Sequence, residues 1–271
     1  MLPLPLITDA ATLQPLLHRP DLLIVDLSSA ENYRHGHIPG AVHLDPKRLL
    51  IGEGAVPNKA PDAAQLSALF GELGLRPELQ VLAYDDQMGP WAGRLIWTLH
   101  LVGHPQAAFL DGQLPAWIAA GGALETSANH PRRSRFEATI DPRLRADKAY
   151  LLAHLGDPDL QIWDARSAAE YRGAKVINAQ KGGHIPGARN LEWSELLIGA
   201  DDWRLKDRAA LARLLQDAGL SPEGELVTHC QTHRRSGLTY IVARALGYPR
   251  VRCYDGSWFE WGNDPATPVE L

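Results

Sequence analysis

The sequence predicts an α/β fold made of two similar domains in tandem, each a small parallel sheet flanked by helices. Short apolar runs alternate with stretches of helical periodicity, which is typical of parallel sheets covered by helices on both faces. In addition, several sequence blocks occur twice in the same order, 138 to 147 residues apart. Such ordered repetition indicates a duplicated domain.

The apolar runs and the periodic stretches fall at matching places in the two halves. Residues 63–73 and 209–218 have apolar side chains at helical spacing, and residues 238–246 are also expected to form a helix. Buried parallel strands are predicted at residues 22–25, 81–84, 161–163 and 226–229. Each half therefore has the order of strands and helices that a small α/β domain requires.

The repeated blocks are short but specific. His37-Ile-Pro-Gly-Ala in the first half matches His184-Ile-Pro-Gly-Ala in the second, and an Asp-Gly pair occurs at Asp111 and again at Asp255. Both histidines lie in a Pro-Gly turn that is present in each half. We therefore predict a structural role for them rather than metal binding or catalysis.

The chain length and one polar segment set the expected domain boundaries. The 271 residues are enough for two ordinary domains. Residues 125–136 are polar and show no periodicity, which is typical of a linker. We therefore expect one domain at residues 1–124 and a second at residues 137–271.

The composition argues against several classes of protein. A net charge of −5 gives no reason to expect binding of nucleic acid or of an acidic membrane surface. No apolar run approaches the roughly 18–20 residues that span a bilayer, and the first residues lack the basic start of a signal peptide. We therefore expect a cytoplasmic protein.

The cysteine and histidine content argues against a metal site. Two cysteines, Cys230 and Cys253, are too few for a disulfide framework or a four-cysteine site, and the histidines are scattered. A glycine-rich nucleotide loop is absent from the sequence as well. We expect no metal and no cofactor, and we expect Cys253, on an apolar run, to be a buried strand residue.

The most informative segment surrounds Cys230. This cysteine follows the apolar run at residues 226–229 and begins a six-residue loop that ends at Arg235, before the expected helix. A thiol between a strand and a helix faces unpaired backbone N–H groups and the positive end of the helix dipole. His233, Arg234 and Arg235 are expected to add positive charge. Since all these features favour the thiolate, we predict that Cys230 is a reactive nucleophile.

The two His-Ile-Pro-Gly-Ala blocks, the two Asp-Gly pairs and the loop Cys230-Gln-Thr-His-Arg-Arg235 together resemble the tandem-domain rhodaneses, in particular the bacterial type, over the whole chain. The resemblance implies two rhodanese-like domains with the site in the cleft between them and the cysteine only in the second. The first half has Asp85 near the matching position. It is therefore expected to be an inactive copy in which Asp85 organises its own loop.

The resemblance also implies a thiosulfate:cyanide sulfurtransferase reaction. The Cys230 thiolate attacks the outer sulfur of thiosulfate, sulfite leaves, and a persulfide remains on the cysteine. A small nucleophile such as cyanide, a thiol or a protein acceptor then takes the sulfur. The expected partners are therefore a small anionic donor and a thiophilic acceptor.

The loop residues are expected to contribute in different ways. Arg235 is expected to bind the anion beside the cysteine, while the two residues before it set the local electric field. The two residues after the cysteine are expected to act through backbone N–H groups, and Ser236 is expected to cap the following helix. The candidate substrate-binding residues are Gln231, Thr232, His233, Arg234, Arg235 and Arg172.

Residues outside the loop also qualify for the site. Asp164 and Arg166 follow a predicted strand, at the sheet edge where open α/β folds bind ligands, and are expected to support the cleft. Arg172 could contact the anion. At Glu170 the mitochondrial relatives have an arginine, so the chain departs from their pattern there. Nine extra residues around 174–183 form either a flap beside the site or a tolerated loop.

Three other functions stay open. A cysteine phosphatase needs five residues between its cysteine and arginine, and here only four precede Arg235, which makes this reading the weakest. A 3-mercaptopyruvate sulfurtransferase takes a carboxylate donor, and its relatives usually have Cys-Gly-Ser/Thr-Gly-Val-Thr in place of this cationic loop. A persulfide carrier that delivers sulfur to a partner protein would share the reactive cysteine. The identity of donor and acceptor separates these readings.

Overall fold

Two parallel five-stranded sheets form the framework of the protein in the computed structural model, which describes residues 3–271. The strands of the first sheet are β1 (Ile7–Thr8), β2 (Leu22–Asp26), β3 (Val42–His43), β4 (Gln80–Tyr84) and β5 (Ala107–Leu110). The helices of this domain are α1 (Ala10–Leu13), α2 (Ala30–His35), α3 (Ala63–Glu72), α4 (Pro90–Leu101) and α5 (Gln113–Ala119).

The second domain repeats this succession of elements. Its strands are β6 (Arg145–Ala146), β7 (Leu160–Asp164), β8 (Arg189–Asn190), β9 (Glu225–His229) and β10 (Val251–Tyr254). Its helices are α6 (Lys148–His154), α7 (Ala168–Tyr171), α8 (Arg208–Asp217), α9 (Arg235–Leu246) and α10 (Ser257–Trp261). The α/β fold of two tandem domains that the repeats predict is thereby confirmed.

The individual strands and helices also agree with the sequence pattern, with one difference. The four predicted strands are β2, β4, β7 and β9, and two predicted helices are α3 and α8, each within one residue at its ends. The helix expected at residues 238–246 begins three residues earlier, at Arg235. Residues 235–237 look like loop residues because they are charged or small, but Ser236 and Gly237 are buried and form the first turn of α9.

The sheet topology places the loops after β4 and β9 at equivalent positions, at the carboxyl edge of the middle strand of each sheet. The strand order is β1-β5-β4-β2-β3 in the first sheet and β6-β10-β9-β7-β8 in the second, with all pairs parallel. β4 and β9 are therefore the middle strands. Because parallel strands share one carboxyl edge, the loop after each middle strand lies where open α/β sheets bind ligands.

The two domains are joined by the close packing of α4 against α9. Gly93 and Gly237 make this approach possible, since a Cβ atom on Gly93 would lie 2.4 Å from the carbonyl carbon of Gly237. Apolar residues from both helices, among them Leu95 and Leu238, belong to one continuous hydrophobic core. The amino ends of both helices, and the loops that precede them, therefore meet at the domain interface.

Two equivalent hydrogen bonds also connect the domains. The Asp111 carboxylate accepts a hydrogen bond from the backbone N–H of Leu205 over 2.8 Å. In the other direction, the Asp255 carboxylate accepts one from the N–H of Ala60 over 2.9 Å. The repeated Asp-Gly pairs thus do the same work in each domain, which is to bind a backbone group of the other domain.

The polar segment at residues 125–136 runs over the first domain. Apart from one β-bridge between Glu125 and His37, these twelve residues contain no helix or strand. Ser134 donates its backbone N–H to the carbonyl of Gly71 over 2.9 Å. The segment is therefore fastened to the domain surface along its path.

Candidate active site

Cys230 directly follows β9 and opens a loop of five residues, 230–234, that leads into α9. The amino end of α10 holds this loop, because the N–H groups of Trp258 and Phe259 donate to the carbonyls of Cys230 and Gln231 over 3.0 and 2.9 Å. The cysteine is only 1% exposed. Its surroundings, rather than bulk water, therefore decide its protonation.

The groups around the sulfur favour the thiolate. Burial raises the pKa of the Cys230 thiol, but the Arg235 charge, the Ser236 hydroxyl and the backbone N–H groups of Ser236 and Thr232 together lower it further than burial raises it. The net pKa lies below that of an ordinary cysteine. Since the thiolate is the nucleophilic form, these surroundings favour the reactive form of Cys230, and its role as a nucleophile stays a prediction.

Ser236 points its hydroxyl at the sulfur and does not cap the helix. The N-cap of α9 is Arg234, and Ser236 lies inside the first turn. Its Oγ is 3.5 Å from Cys230 Sγ, to which it donates, and 2.7 Å from Nδ1 of His233. The prediction of a capping role for Ser236 is wrong because the turn places the hydroxyl over the sulfur.

His233 is an uncharged part of the loop, contrary to the prediction that it adds positive charge. Its side chain is fully buried, with its ring against Trp97 at a centroid distance of 4.4 Å. Burial, the charge of Arg94 and the nearby His229 set the pKa of His233 well below its usual value. The ring is therefore neutral at neutral pH.

Arg235 lies beside the sulfur and is bound at its other side by Glu170. Its guanidinium donates two hydrogen bonds to the Glu170 carboxylate, over 2.8 and 2.9 Å. Burial raises the pKa of Glu170, but Arg235 and Ser167 outweigh burial and bring it to about 2. Glu170 and the Cys230 sulfur in turn raise the pKa of Arg235 despite its burial. The pair thus presents a fixed cation to Cys230.

Asp164 and Arg166 form a buried ion pair beneath the loop. Arg166 Nε lies 3.0 Å from both carboxylate oxygens of Asp164, and its Nη2 lies 2.6 Å from Oδ2. The guanidinium also stacks on Trp258 at 4.2 Å. His229 connects the pair to the site, with Nε2 3.7 Å from Asp164 and Nδ1 3.2 Å from the Cys230 carbonyl. These contacts connect the end of β7 to the end of β9 and to the loop that follows it.

The other predicted loop residues point in different directions. Gln231 donates its side-chain amide to the carbonyl of Ile177 over 2.5 Å, whereas Thr232 has its backbone N–H near the Cys230 sulfur. Arg234 is exposed and stacks on Trp91 of the first domain at 5.2 Å. The loop cations therefore separate, and only Arg235 faces Cys230.

Arg172 is not brought to the loop. It is exposed at the carboxyl end of α7, and its side chain forms no hydrogen bond or ion pair with any residue between 3 and 271. A contact between Arg172 and an anion at Cys230 is not part of this arrangement.

The insertion around residues 174–183 borders the site. Gln231 of the loop binds the carbonyl of Ile177, and Trp258 Nε1 donates to the carbonyl of Lys181 over 3.3 Å. The N–H of Lys181 in turn donates to the carbonyl of Gly262 over 3.0 Å. The sequence left open whether this insertion is a flap beside the site or a tolerated loop. The contacts place it beside the Cys230 loop.

Comparison with known proteins identifies the family. A rhodanese-like domain matches this chain twice, at residues 9–120 and 147–264. The chain belongs to the rhodanese family. Proteins named thiosulfate sulfurtransferase from Pseudomonas aeruginosa and Azotobacter vinelandii are each 50% identical to it, over 99% of this chain and 98% of theirs. A crystal structure of a 3-mercaptopyruvate sulfotransferase from Escherichia coli is 26% identical and superimposes with a TM-score of 0.85, covering 94% of this chain and 99% of that one.

The first domain of this rhodanese has a buried carboxylate at the position of the cysteine. Asp85 directly follows β4, as Cys230 follows β9. Its oxygens accept hydrogen bonds of 2.7 to 3.0 Å from four backbone N–H groups, those of Gln87, Gly89, Trp91 and Ala92. Burial still raises the pKa of Asp85. The prediction that Asp85 organises its loop is confirmed by these four bonds.

The repeated histidines have equivalent structural contacts in both rhodanese domains. His37 stacks on Tyr33 at a centroid distance of 3.7 Å, and His184 stacks on Tyr171 at 3.6 Å. Each Nδ1 also forms a hydrogen bond with the carbonyl of the same tyrosine. The predicted structural role is confirmed, because the contacts are the same in the domain that lacks the cysteine.

Cys253 is a buried residue of β10, as predicted. Burial sets the pKa of its thiol well above the usual value, so it stays protonated.

Within residues 3–271, no group of three or more His, Cys, Asp and Glu side chains could hold a metal ion. In the same part of the chain, no helix has the length and apolar character to cross a bilayer.

Sequence reasoning missed two residues of the site. Glu170 was noted only as a departure from the relatives, and its pairing with Arg235 depends on a contact 65 residues away in the chain. Arg94, in the first domain, donates to the carbonyl of His233 over 3.1 Å across 139 residues. No local pattern indicates Arg94, since it lies in the middle of a helix of the domain without the cysteine.

Proposed function

We propose that this rhodanese is a thiosulfate sulfurtransferase that moves sulfane sulfur to cyanide or another thiophilic acceptor through a persulfide on Cys230. The observation that carries the proposal is the lowered pKa of the Cys230 thiol within a loop of N–H donors and beside Arg235. Thiosulfate is a dianion, and backbone N–H groups together with a fixed guanidinium are well suited to bind one. The two relatives with 50% identity are named for this activity.

In the first step of the proposed reaction, the thiolate of Cys230 attacks the outer sulfur of thiosulfate. The bond between the two sulfur atoms of thiosulfate breaks, and its electron pair leaves with sulfite. The product is the persulfide anion of Cys230. No proton is needed because neither sulfite nor the persulfide must be protonated to form, and the Arg235 charge stabilises the negative charge that develops.

In the second step the acceptor attacks the outer sulfur of the persulfide. With cyanide, a carbon–sulfur bond forms, the persulfide bond breaks, and its electron pair returns to Cys230 as thiolate. Thiocyanate leaves. The enzyme thus alternates between two covalent states, which predicts ping-pong kinetics.

The Asp85 loop provides an argument that the Cys230 loop can bind a persulfide. The outer sulfur of a cysteine persulfide and the carboxylate oxygens of aspartate are both two bonds from Cβ, and both groups are anionic. Four backbone N–H groups already bind the anion at Asp85. We therefore infer that the Cys230 loop, built on the same plan, binds the persulfide with its own N–H groups.

The burial of Cys230 favours small reagents. With the side chain only 1% exposed, thiosulfate and cyanide reach the sulfur more easily than the thiol of a folded partner protein does. A persulfide carrier that serves a protein acceptor is therefore the less favoured reading. Titrating small and protein acceptors against the preformed persulfide separates the two.

A second candidate function is 3-mercaptopyruvate sulfur transfer. The similarity to the Escherichia coli structure, which extends over 99% of that chain, favours it. The fixed Arg235 guanidinium together with the N–H groups of the loop suits a dianion better than a monocarboxylate. We expect kcat/KM for thiosulfate to exceed that for 3-mercaptopyruvate, and the opposite ratio would reassign the donor.

The proposal is tested by the intact mass of the reduced protein before thiosulfate, after thiosulfate and after cyanide. We expect a gain of one sulfur atom that cyanide removes as thiocyanate. Cys230→Ser should not gain the sulfur, while the matched variant Cys253→Ser should. No gain in the wild type with thiosulfate would contradict the proposal.

A further inference from the structure

Arg94 is a buried cation without a carboxylate partner. It lies on α4, is 0% exposed, and forms no ion pair with any acidic residue in the described part of the chain, residues 3–271. Its guanidinium donates instead to three backbone carbonyls, those of His233, Leu49 and Asn58, over 3.0 to 3.1 Å. Its Nε has no partner among the described residues.

Such a burial is unfavourable by itself. Moving a charged guanidinium out of water is costly unless an opposite charge compensates, and neutral carbonyls compensate only in part. Burial accordingly lowers the pKa of Arg94 to about 10, partly offset by the negative groups near it. Arg94 is still charged at neutral pH, so the domain interface contains a positive charge that no ion pair neutralises directly.

The charge and the hydrogen bonds of Arg94 act on the Cys230 loop. His233, whose carbonyl Arg94 binds, has a positive φ of 52°, which is an unfavourable conformation for a residue other than glycine. The hydrogen bond from Arg94 helps to hold this residue in place. The charge also acts electrostatically on Asp255, Cys253 and Cys230.

The groups that face Cys230 come from several elements. Arg235, paired with Glu170, is the cation on α9, while His233 in the loop is neutral. His229 at the end of β9 also has a lowered pKa, chiefly through burial. Asp255, directly after β10, is the carboxylate that acts most on Arg94. Burial raises the pKa of Asp255. Arg94 is therefore a further cation whose charge interacts with the sulfur, less strongly than Arg235 does, and it comes from the other domain.

Only one of the two duplicated helices has this arginine. Gly93 and Gly237 occupy equivalent positions in α4 and α9, so Arg94 corresponds to the next residue of α9, Leu238. Leu238 is a buried apolar residue of the core. The arginine is thus present in the domain without the cysteine, on the helix that packs beside the cysteine loop.

We propose that Arg94 is a positioning residue that the first domain supplies to the active site of the second. It holds the carbonyl of His233 and places a positive charge beside the loop that stabilises the Cys230 thiolate and persulfide. The persulfide part of this inference rests on the proposed function. The thiolate part does not, because it concerns the free enzyme. The domain that lacks the cysteine is, in this view, required to complete the site.

The test compares Arg94→Lys with Arg94→Met in the full-length protein. Both variants have side chains of similar length and lose most of the hydrogen bonds, but only lysine keeps the charge. The rate of Cys230 alkylation by iodoacetamide, followed by mass spectrometry against pH, gives the apparent pKa of the thiol. We expect this pKa in Arg94→Met to be about one unit higher than in Arg94→Lys, and kcat/KM with thiosulfate at neutral pH to be about tenfold lower.

Lys59→Met is the matched control. It removes another interdomain cation, whose Nζ lies 2.7 Å from Glu260, and it should leave the alkylation profile unchanged. Urea unfolding of every variant shows whether it is folded, and Arg94→Gln replaces Arg94→Met if the latter is not. Identical pKa values for the charged and the uncharged variant would overturn the proposal. If Arg94→Met shows the expected higher thiol pKa but the wild type transfers no sulfur from thiosulfate, the result would contradict the proposed function and leave this inference intact.

Discussion

The loops after β4 and β9 are built on the same plan, but the first has a carboxylate, that of Asp85, where the second has the thiol of Cys230. In the first loop the Asp85 carboxylate is bound by four backbone N–H groups. In the second, the Cys230 sulfur is influenced by two of the equivalent N–H groups, those of Thr232 and Ser236. The first loop is therefore complete without a ligand, whereas under the proposed function the N–H donors of the second loop bind the outer sulfur of a Cys230 persulfide.

The two loops also differ in the residue that begins the following helix. It is Pro90 in the first domain and Arg235 in the second. Proline provides no charge and is a favourable first residue of a helix, whereas Arg235 provides the cation beside the sulfur. We infer from this comparison that a reactive cysteine in such a loop also needs a cation, which Pro90 does not provide.

The largest effect is expected from moving the cysteine between the loops. A chain with Asp85→Cys and Cys230→Ser should have no measurable sulfur transfer, because the new thiol has Pro90 where Cys230 has Arg235. Thiocyanate formation from thiosulfate and cyanide measures this. Cys230→Ser alone is the matched control, and recovery of even a tenth of wild-type activity would show that the N–H loop is sufficient.

The next largest effect is expected from removing the loop cation. Arg235→Ala should lower kcat/KM for thiosulfate about a hundredfold, since it removes the fixed charge beside the developing anion. Arg172→Ala should change it by less than about twofold, because the exposed Arg172 side chain forms no hydrogen bond or ion pair with the loop. Steady-state kinetics of both variants check this order. The reverse order would move the anion site to the end of α7.

The pH dependence of Cys230 should show the lowered thiol pKa. Below this pKa the alkylation rate should fall about tenfold per pH unit, because only the thiolate reacts. The thiolate also stabilises the fold: with its folded pKa depressed, this contribution is present above the unfolded pKa and is lost as pH falls through the folded pKa. Urea unfolding of the wild type and Cys230→Ser against pH measures it. A stability difference that does not vary with pH between these two proteins would count against a native thiolate.

A smaller effect is expected from the partner of Arg235. Glu170→Gln removes a carboxylate that has a pKa of about 2 and is therefore ionised throughout the neutral range. Without this negative charge the pKa of Cys230 should fall further, while kcat should drop by about three- to tenfold because Arg235 is held less firmly. The alkylation profile and steady-state kinetics separate the two effects. An increase in the pKa of Cys230 would mean that Glu170 does not act through charge.

Much of the fold could be predicted because its signals are local or repeated. The apolar runs of β2, β4, β7 and β9 and the periodicity of α3 and α8 depend on neighbouring residues only. The wrong start of α9 and the wrong cap at Ser236 have one common cause. The loop after Cys230 is tighter than its composition indicates, because Ser236 is buried beside the Cys230 sulfur and Gly237 is buried against the other domain.

The sequence by itself determined the duplication, the loss of the cysteine in the first domain and the position of Cys230 at a strand-to-helix loop. Only the tertiary structure decided which charges reach the sulfur. It made His233 neutral, turned Arg234 towards Trp91, bound Arg235 to Glu170 and brought Arg94 from the other domain. The physical reason is that charge acts over a few ångströms and depends on burial. Both are properties of residues that are far apart in the chain and meet only after folding.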